Sequence, residues 1–466
     1  MIMEFSVENF LSFKERVTLS MVASKDRTLI ENLIQPKNYA NIFKNSLVSK
    51  ESLLKTGVIY GSNASGKTNF IHALNFMREY IVEGHKIQKG DTIPVIPFKL
   101  DKKSELRPSL FEIFFVANGV KYVYGFKIDQ KEVHEEYLYF YPKGRQKLIF
   151  ERLLINGKYE YKFNQDKEEQ ETLSKRTLEN RLYLSTATEW NYEPMAVPFK
   201  WFKEKLQIFL NDSFNADLTL KRSKDQKFKH IINKFLSEAD LGILDFDINY
   251  HNFSEDNLPE NMPKEIKEII FKGIQQYQQK DDKLGKIQFK VTISDDIKLY
   301  HKGVDLEGNQ VKIPLSLTEE SAGTNKIFNL VGNWIDALIN GKVLIIDELE
   351  TSLHSNIIRF LIKLFHGNHN IGNAQLIFTT HSTNLLRRDI FRRDQIWFTE
   401  KSYQLQSSSL YSLLEIKTRK DENYEKGYLE GRYGAVPYIG EGLLWDEDFI
   451  ETLKVNEVEN KTPENV

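Results

Sequence analysis

The amino-acid sequence predicts an α/β fold in which a parallel β-sheet is joined by an antiparallel β subdomain and a helical insertion. Three observations lead to this fold class. The stretch "TGVIYGSNASGKTNF" is a short apolar strand followed by a glycine-bounded loop and a helix. Beyond residue 315, apolar runs such as "KVLIID" and "AQLIF" alternate with helical patterns, which is typical of parallel strands joined by helices. Between these parts lie β-rich runs around Asn118-Gly119 and Asn156-Gly157, dipeptides that favour hairpin turns.

The character of the chain changes along its length. Two short alternating strands in residues 2–23 come first, charged and helix-prone sequence begins near residue 165, and β-rich sequence returns near residue 286. The sequence therefore predicts four regions. They are an N-terminal lobe with the glycine-bounded loop and the β-hairpins (1–164), a helical insertion that senses or holds a partner (165–285), a C-terminal lobe (286–440) and an acidic tail (441–466).

The composition excludes several classes of protein. The chain has 466 residues, with 64 basic and 66 acidic side chains and no cysteine. The near balance of charge argues against a general polyanion binder, and the lack of cysteine excludes disulfides, Cys-ligated zinc and thiol catalysis. No signal-peptide pattern opens the sequence, and no apolar run approaches the roughly 20 residues that span a bilayer. We therefore expect a cytoplasmic protein without a membrane partner.

The glycine-bounded loop matches the pattern G-x-x-x-x-G-K-[ST] between a strand and a helix. Such a loop wraps backbone N–H groups around phosphate oxygens at the positive end of a helix. Lys67 is expected to reach the β- and γ-phosphates of ATP, and the Thr68 hydroxyl to bind Mg²⁺. The alternative is a chance Gly-Lys-Thr turn, which the flanking strand and helix disfavour. The predicted nucleotide-binding residues are Gly61, Ser62, Asn63, Ala64, Ser65, Gly66, Lys67, Thr68 and Asn69.

Two acidic residues follow the apolar run Val343–Ile346. The carboxyl end of such a strand faces the ligand crevice of an open α/β sheet. Asp347 is therefore predicted to hold Mg²⁺, directly or through water, and Glu348 to polarise the attacking water. The alternative is a solvated strand end, where acidic residues are common; the phosphate loop elsewhere in the chain favours the nucleotide site.

A histidine ends another apolar strand, in "AQLIFTTHS". His381 at this position can donate a hydrogen bond to a γ-phosphate or orient a water molecule. The alternative is a surface or capping histidine, and the preceding buried strand favours the functional role. His366 and His369 have the spacing of metal ligands on a helix, but no partner motif accompanies them, so they are not predicted to bind metal.

The stretch "LTEESAGTNK" predicts the start of a helix, because Ser321 or Thr324 precedes the apolar residues Ile327, Phe328, Leu330 and Val331. A capped helix start also presents free N–H groups to an anion. A cap alone and a phosphate-binding element are both compatible with these residues.

Together these motifs resemble the ABC-type ATPase heads of the SMC, RecF and OLD group. The order "FSVENFLSF", "GSNASGKTN", "ESAGTNK", "LIIDE", "TSLH" and "TTHS" is similar to theirs over residues 1–130 and 310–400. The stretch "DELETSLHSN" resembles the "DEPE-x-x-LHP" of OLD and RecF-type ATPases, with Leu349 and Ser355 in the place of prolines. The C-terminal stretch "YSLLEIKTRKDENYEKGYLEGRYGAVPY" resembles the stand-alone AAA15-type ATPases of bacteria, the RloA-like and PARIS AriA-like proteins.

The resemblance implies roles for particular residues. Gly61–Thr68 would be the Walker A loop, Asp347 the Walker B carboxylate and Glu348 the catalytic base, with Lys67 and His381 also in catalysis. Ser321 and Gly323 would be the signature, which completes the ATP site of a neighbouring subunit; Ala322 departs from the usual Ser-Gly-Gly. Ser352 and His354 would lie in the D-loop. The Gln that transporter-type heads carry after the phosphate loop has no clear counterpart.

The resemblance also implies partners. We expect a homo-oligomer, a dimer or larger, that serves in bacterial anti-phage defence and controls a separately encoded effector. In this chain, Glu400 is not followed by the Asp-x-Asp that a TOPRIM nuclease domain carries. A separately encoded TOPRIM nuclease is therefore one candidate effector. The alternative is a DNA-repair or chromosome-maintenance ATPase that clamps DNA. A transporter subunit is disfavoured by the mid-chain insertion. DNA contact would use two basic clusters, which are otherwise solvated helix faces: Lys221, Arg222, Lys224, Lys227 and Lys229, and Arg387, Arg388, Arg392 and Arg393.

Overall fold

A computed structural model describes most of the chain. The described residues are 1–35, 52–142, 144–210, 213–249, 251–253, 267–268, 289–291, 297–419 and 421–437. Their strands are β1 (Ile2–Glu8), β2 (Val17–Ser20), β3 (Leu33–Ile34), β4 (Leu53–Leu54), β5 (Thr56–Tyr60), β6 (Ser109–Ala117), β7 (Val120–Ile128), β8 (Val133–Tyr141), β9 (Lys147–Ile155), β10 (Lys158–Phe163), β11 (Leu206–Phe209), β12 (Ile243–Ile248), β13 (His251–Phe253), β14 (Phe289–Val291), β15 (Ile297–Val304), β16 (Gln310–Ser316), β17 (Val343–Ile346), β18 (Gln375–Thr379), β19 (Ile396–Lys401) and β20 (Ser408–Ser412).

The described helices pack around these strands. They are α1 (Lys67–Val82), α2 (Lys102–Glu105), α3 (Lys167–Arg176), α4 (Tyr183–Glu189), α5 (Ala196–Lys200), α6 (Asp217–Ser223), α7 (Gln226–Glu238), α8 (Ala322–Asn340), α9 (Ser355–His366) and α10 (Tyr424–Leu429). None of the helices in the described part of the chain combines the length and the apolar composition that crossing a membrane requires.

A six-stranded sheet with the order β11-β17-β18-β5-β19-β20 forms the centre of the fold. Its first five strands are parallel, and β20 runs antiparallel at the edge. Every residue of β5, β17 and β18 is buried, as continuous apolar runs predict for strands covered on both faces. The predicted α/β fold class is confirmed.

A seven-stranded sheet forms the second layer, in the order β10-β9-β8-β7-β6-β1-β2. All of its described pairs are antiparallel. The β6–β7 turn places Asn118 at φ 45° and Gly119 at φ 73°, and the β9–β10 turn repeats this at Asn156 and Gly157. Positive φ at both central residues is what a two-residue hairpin turn needs, so the Asn-Gly prediction of hairpins is confirmed.

The two sheets are joined through a shared core and one buried side chain. Phe70 on α1 packs edge-on against Phe5, with 5.5 Å between ring centroids, and lies 6.0 Å from Phe13. The Gln375 amide at the start of β18 accepts from Ile2 N at 2.6 Å and donates to Ile2 O at 3.0 Å and Leu54 O at 2.9 Å. Because a buried amide needs partners, these bonds fix β1 and β4 against the parallel sheet.

The predicted helical insertion, residues 165–285, is only partly helical. It contains α3 to α7, but β11 runs parallel to β17 as an edge of the central sheet, and β12 pairs with β15. The helical prediction is therefore wrong for β11, β12 and the short β13, which pairs with β14. Short apolar runs such as "LQIF" fit a helix or a strand, and tertiary pairing decides between them. The helix predicted around "KEIKEIIFKGIQQYQQ" lies almost wholly outside the described residues, and so does the predicted tail 441–466.

Candidate nucleotide-binding site

The glycine-bounded loop joins the carboxyl end of β5 to the first residue of α1. Gly66 precedes α1 with φ 114°, and Ala64 also has a positive φ of 61°. A Cβ on Gly61 would come within 2.5 Å of Ser65 Oγ and Thr399 Oγ1, so only glycine fits there. The loop thus lies at the N-terminus of a 16-residue helix, where unpaired N–H groups and the helix dipole favour a phosphate.

Lys67 turns its side chain back into this loop. Its Nζ donates to Gly61 O at 2.8 Å and to Ser62 O at 3.1 Å, and the residue is buried. Burial lowers the pKa of the ammonium group, while nearby carboxylates oppose the shift: Glu348, Asp347 and Glu350. The loop therefore holds a cation whose present acceptors are two neutral carbonyls, and a phosphate would be a stronger acceptor.

The buried floor of the phosphate loop contains a side-chain hydrogen bond that the sequence did not predict. Ser65 Oγ and Thr399 Oγ1 lie 2.7 Å apart, and Thr399 belongs to β19, the neighbour of β5. Ser65 is buried, whereas Asn63 is exposed and Thr68 and Asn69 are partly exposed. The predicted loop residues thus divide into a buried floor and an accessible rim.

The buried carboxylate after β17 is fixed by a threonine of β18. Thr379 Oγ1 donates to Asp347 Oδ1 at 2.6 Å and accepts from Glu348 N at 2.7 Å. Asp347 N donates to Phe209 O of β11 at 3.0 Å. β17 and β5 both flank β18, so Asp347 and the phosphate loop leave the sheet at the same edge. The sequence prediction overlooked Thr379, although it is the first Thr of the "TTHS" that we singled out.

Glu348 and His381 come together above this edge. His381 Nε2 lies 3.8 Å from Glu348 Oε1, and the two side chains are 39% and 51% exposed. Glu348 has a φ of 50°, a strained conformation for a residue with a side chain. A solvent-accessible carboxylate beside an imidazole can take a proton from a water molecule and orient that water.

The signature-like stretch begins α8 in the same chain. Ser321 caps the helix, and its Oγ accepts from Thr324 N at 3.1 Å, so the predicted cap is confirmed. Ser321 and Ala322 are exposed. A Cβ on Gly323 would lie 2.8 Å from Ser352 O, so the glycine allows α8 to approach the turn after β17. The role of Ser321 and Gly323 in a neighbouring subunit stays a prediction.

Oxygen ligands that suit Mg²⁺ are present at the site. Thr68 supplies a hydroxyl and Asp347 a carboxylate, and Mg²⁺ in nucleotide sites commonly takes one or two such groups together with phosphate oxygens. In the described ranges, no group of three or more His, Cys, Asp or Glu side chains could hold a metal. His366 is buried, with its Nε2 2.8 Å from Thr56 Oγ1, and His369 is exposed.

The two basic clusters are largely engaged in internal contacts. In the first, Arg222 pairs with Asp336 at 2.5 Å and Lys229 with Asp247 at 3.0 Å. In the second, Arg387 pairs with Asp389 at 2.8 Å, and Arg392 is buried, with Asp394 at 2.7 Å. Arg392 is buried and can contact neither solvent nor DNA. The prediction that this cluster forms a solvated or DNA-contacting helix face is therefore wrong for Arg392.

A phosphate loop, an acidic strand end and a strand-end histidine at one edge of a parallel sheet define a P-loop nucleotide-binding protein. The model of the family described as "AAA domain, putative AbiEii toxin, Type IV TA system" matches residues 58–387, and the chain belongs to this family. It is therefore an ATPase of the AAA/ABC type. This agrees with the broad resemblance drawn from the sequence.

Solved structures provide further comparisons. The chain is similar to the "SMC head domain from Thermotoga maritima", with 12% identity, 88% of this chain and 98% of that chain covered, and a TM-score of 0.36. It is also similar to the "Crystal structure of the SmcHead bound to the C-winged helix domain of ScpA", with 13% identity, coverage of 88% and 97%, and a TM-score of 0.37. No curated protein matches the chain.

Proposed function

We propose that this ATPase hydrolyses ATP as a nucleotide-gated homo-oligomer and controls a separately encoded effector in bacterial anti-phage defence. The observation that carries the proposal is the convergence of Lys67, Asp347, Glu348 and His381 at the carboxyl edge of one parallel sheet. These residues follow the carboxyl ends of three neighbouring strands: Lys67 follows β5, Asp347 and Glu348 follow β17, and His381 follows β18.

The proposed reaction assigns one task to each group. The N–H groups of the phosphate loop and the Lys67 ammonium bind the phosphates of ATP. Thr68 and Asp347 would hold Mg²⁺, which neutralises phosphate charge when bound. Glu348 accepts a proton from the water that attacks the γ-phosphorus, and ADP and phosphate result. His381, 3.8 Å from Glu348, orients that water or the γ-phosphate.

The exposed start of α8 supports the proposed oligomer. Apart from the Thr324 N–H, which Ser321 caps, the first turn of this 19-residue helix can offer backbone N–H groups to an anion, and Ser321 and Ala322 face solvent. We propose that Ser321 and Gly323 contact the γ-phosphate bound to a neighbouring subunit, so that ATP closes the interface and hydrolysis opens it.

The defence role rests on the kind of system that the family description names, a toxin in a type IV toxin–antitoxin pair. That description supports a two-component arrangement in which an ATPase and a second protein restrain or trigger a toxic activity. We propose that the chain is one of the AAA15-type, RloA-like or AriA-like ATPases. We assign effector or signal recognition to residues 165–285, between the lobes 1–164 and 286–440, with 441–466 as a tail.

Replacement of the proposed base tests the reaction. Glu348→Gln keeps the shape of the side chain but removes the proton acceptor, so phosphate release should fall by roughly a hundredfold or more, the range seen for loss of a general base. ATP affinity should remain, because phosphate binding uses other groups. The matched control is Glu105→Gln on α2, which should leave turnover unchanged. Wild-type turnover in Glu348→Gln would rule out this assignment of the base.

A further inference from the structure

Glu350 is the third carboxylate of "DELETSLH", and the proposed reaction does not use it. It follows the buried Leu349 in a turn, closed by Thr351 N donating to Glu348 O at 3.1 Å and Leu353 N to Glu350 O at 2.9 Å. The turn places the partly buried Glu350 side chain between the loop after β17 and the loop after β18.

One oxygen of Glu350 holds the backbone of the switch histidine. Oε1 accepts the N–H of His381, and within the part of the chain that the structure describes this is the one hydrogen bond that His381 makes. The other bonds between the two loops end earlier, at Thr379: Leu349 N donates to Thr379 O at 3.2 Å and Glu348 N to Thr379 Oγ1 at 2.7 Å. Beyond Thr379, Thr380 N donates to Ile59 O at 3.1 Å and the Tyr60 hydroxyl donates to Ser382 O at 3.3 Å. Between these two anchors, Glu350 is the side chain that holds the His381 amide itself.

The other oxygen of Glu350 also sets this side chain apart from an ordinary loop residue. Oε2 is buried and has no hydrogen-bond partner among the described residues. The charge of Glu350 also acts on Lys67, whose ammonium pKa is lowered by burial and raised again by the three carboxylates of this loop. A buried carboxylate oxygen without a donor is costly, and such groups concentrate at functional sites.

We infer that Glu350 is a positioning residue, which sets the distance between His381 and Glu348 through its bond to the His381 amide. The inference rests on the proposed ATP hydrolysis. Because the bond is to a backbone N–H, an uncharged oxygen at the same place should also hold the segment. The carboxamide of glutamine supplies that oxygen, and alanine does not.

The test compares Glu350→Ala with Glu350→Gln in the full chain. In Glu350→Ala, kcat should fall roughly ten- to a hundredfold, the effect of losing a hydrogen bond to a charged group, with KM for ATP within about threefold. Glu350→Gln should stay within about threefold of wild-type kcat. Without nucleotide, amide hydrogen exchange of the peptide covering residues 379–383 should quicken about tenfold in the Ala variant and not in the Gln variant.

Each other outcome has one meaning. Unchanged turnover and exchange in Glu350→Ala, or equal losses in both variants, would overturn the inference while leaving ATP hydrolysis intact. A wild-type chain that does not hydrolyse ATP would overturn the proposed function, and the exchange comparison would still decide whether Glu350 holds His381. If the Ala variant does not fold, Glu350→Asp, whose side chain is one methylene shorter, replaces it with the same expected losses.

Discussion

At the scale of single residues, hydrogen bonds among buried polar groups of the central sheet favour one protonation state of His366. Gln395 Nε2 donates to Thr56 Oγ1 at 2.5 Å, so the Thr56 hydroxyl is free to donate to His366 Nε2 at 2.8 Å. With the Thr56 hydroxyl as the donor, Nε2 carries no proton and the His366 imidazole is neutral. Burial agrees with it, because desolvation lowers the pKa of His366 to about 3, with the Lys55 charge adding to the effect.

The low pKa of His366 predicts a dependence of stability on pH. The unfolded chain binds a proton at this residue below about pH 6.5, and the folded chain does so only below about pH 3. The contribution of His366 to the free energy of unfolding is therefore fully present above pH 6.5 and is lost as the pH falls toward 3. The slope from one proton is at most about 1.4 kcal/mol per pH unit. We expect the free energy of unfolding of His366→Gln to fall less steeply than that of wild type between pH 6.5 and 4.5. Denaturant titrations measure this.

The exposed His369 provides the control for that prediction. His369→Gln should keep the wild-type slope, because folding does not bury this side chain. A wild-type slope in His366→Gln would show that His366 is not the group that destabilises the folded chain in acid.

At the scale of elements, a buried ion pair fixes helix α4 to the antiparallel sheet. Glu136 on β8 accepts from Tyr183 N at 2.6 Å and Leu184 N at 3.0 Å, at the start of α4. Arg152 on β9 lies 3.7 Å from the Glu136 carboxylate and donates to Arg181 O at 2.7 Å. Both side chains are fully buried, and further contacts help to balance their charges. The Tyr124 hydroxyl donates to Glu136 at 2.9 Å, and the Arg152 guanidinium lies 4.0 Å from the centre of the Tyr159 ring.

Removal of one member of this pair should be strongly destabilising. Glu136→Ala leaves Arg152 buried without its counter-ion, and we expect a loss of about 3–5 kcal/mol in the free energy of unfolding. Denaturant unfolding measures the loss. Lys162→Ala removes one side of the exposed Lys162–Glu151 pair in the same sheet and should leave the transition midpoint nearly unchanged. Similar midpoints for both variants would show that the buried Glu136–Arg152 pair does not stabilise the packing of α4 on the sheet.

The sequence predicted elements well where local chemistry determines them. Asn-Gly turns predicted the hairpins, and the loop before Lys67 predicted the strand, turn and helix around it. It failed at β11, a four-residue apolar run that becomes a strand only because β17 lies beside it. It also missed Thr379, Thr399 and Glu350, since their partners come from other strands or loops and no local pattern marks such pairs.

At the scale of the whole molecule, ATP-dependent assembly requires that each chain has both an exposed helix start and an accessible phosphate loop. Ala322 is the first residue of α8 and is exposed, so a substitution there leaves the fold undisturbed. Gly323 is a less suitable position for a test substitution, because a Cβ there would lie too close to Ser352 O of the same chain. A large cation at Ala322 would oppose the positive end of the helix and fill the space where a neighbour's phosphate would bind.

The central claim is that ATP joins copies of this chain through the start of α8. The most direct test is sedimentation velocity of Glu348→Gln, which should retain bound ATP, with and without ATP and Mg²⁺. We expect ATP to convert the protein to a dimer or larger assembly. Adding Ala322→Arg should abolish this conversion while ATP binding persists. Adding Leu106→Arg, at a residue directly after α2 that is 88% exposed, should not abolish it. An assembly size that is the same with and without ATP would contradict the account.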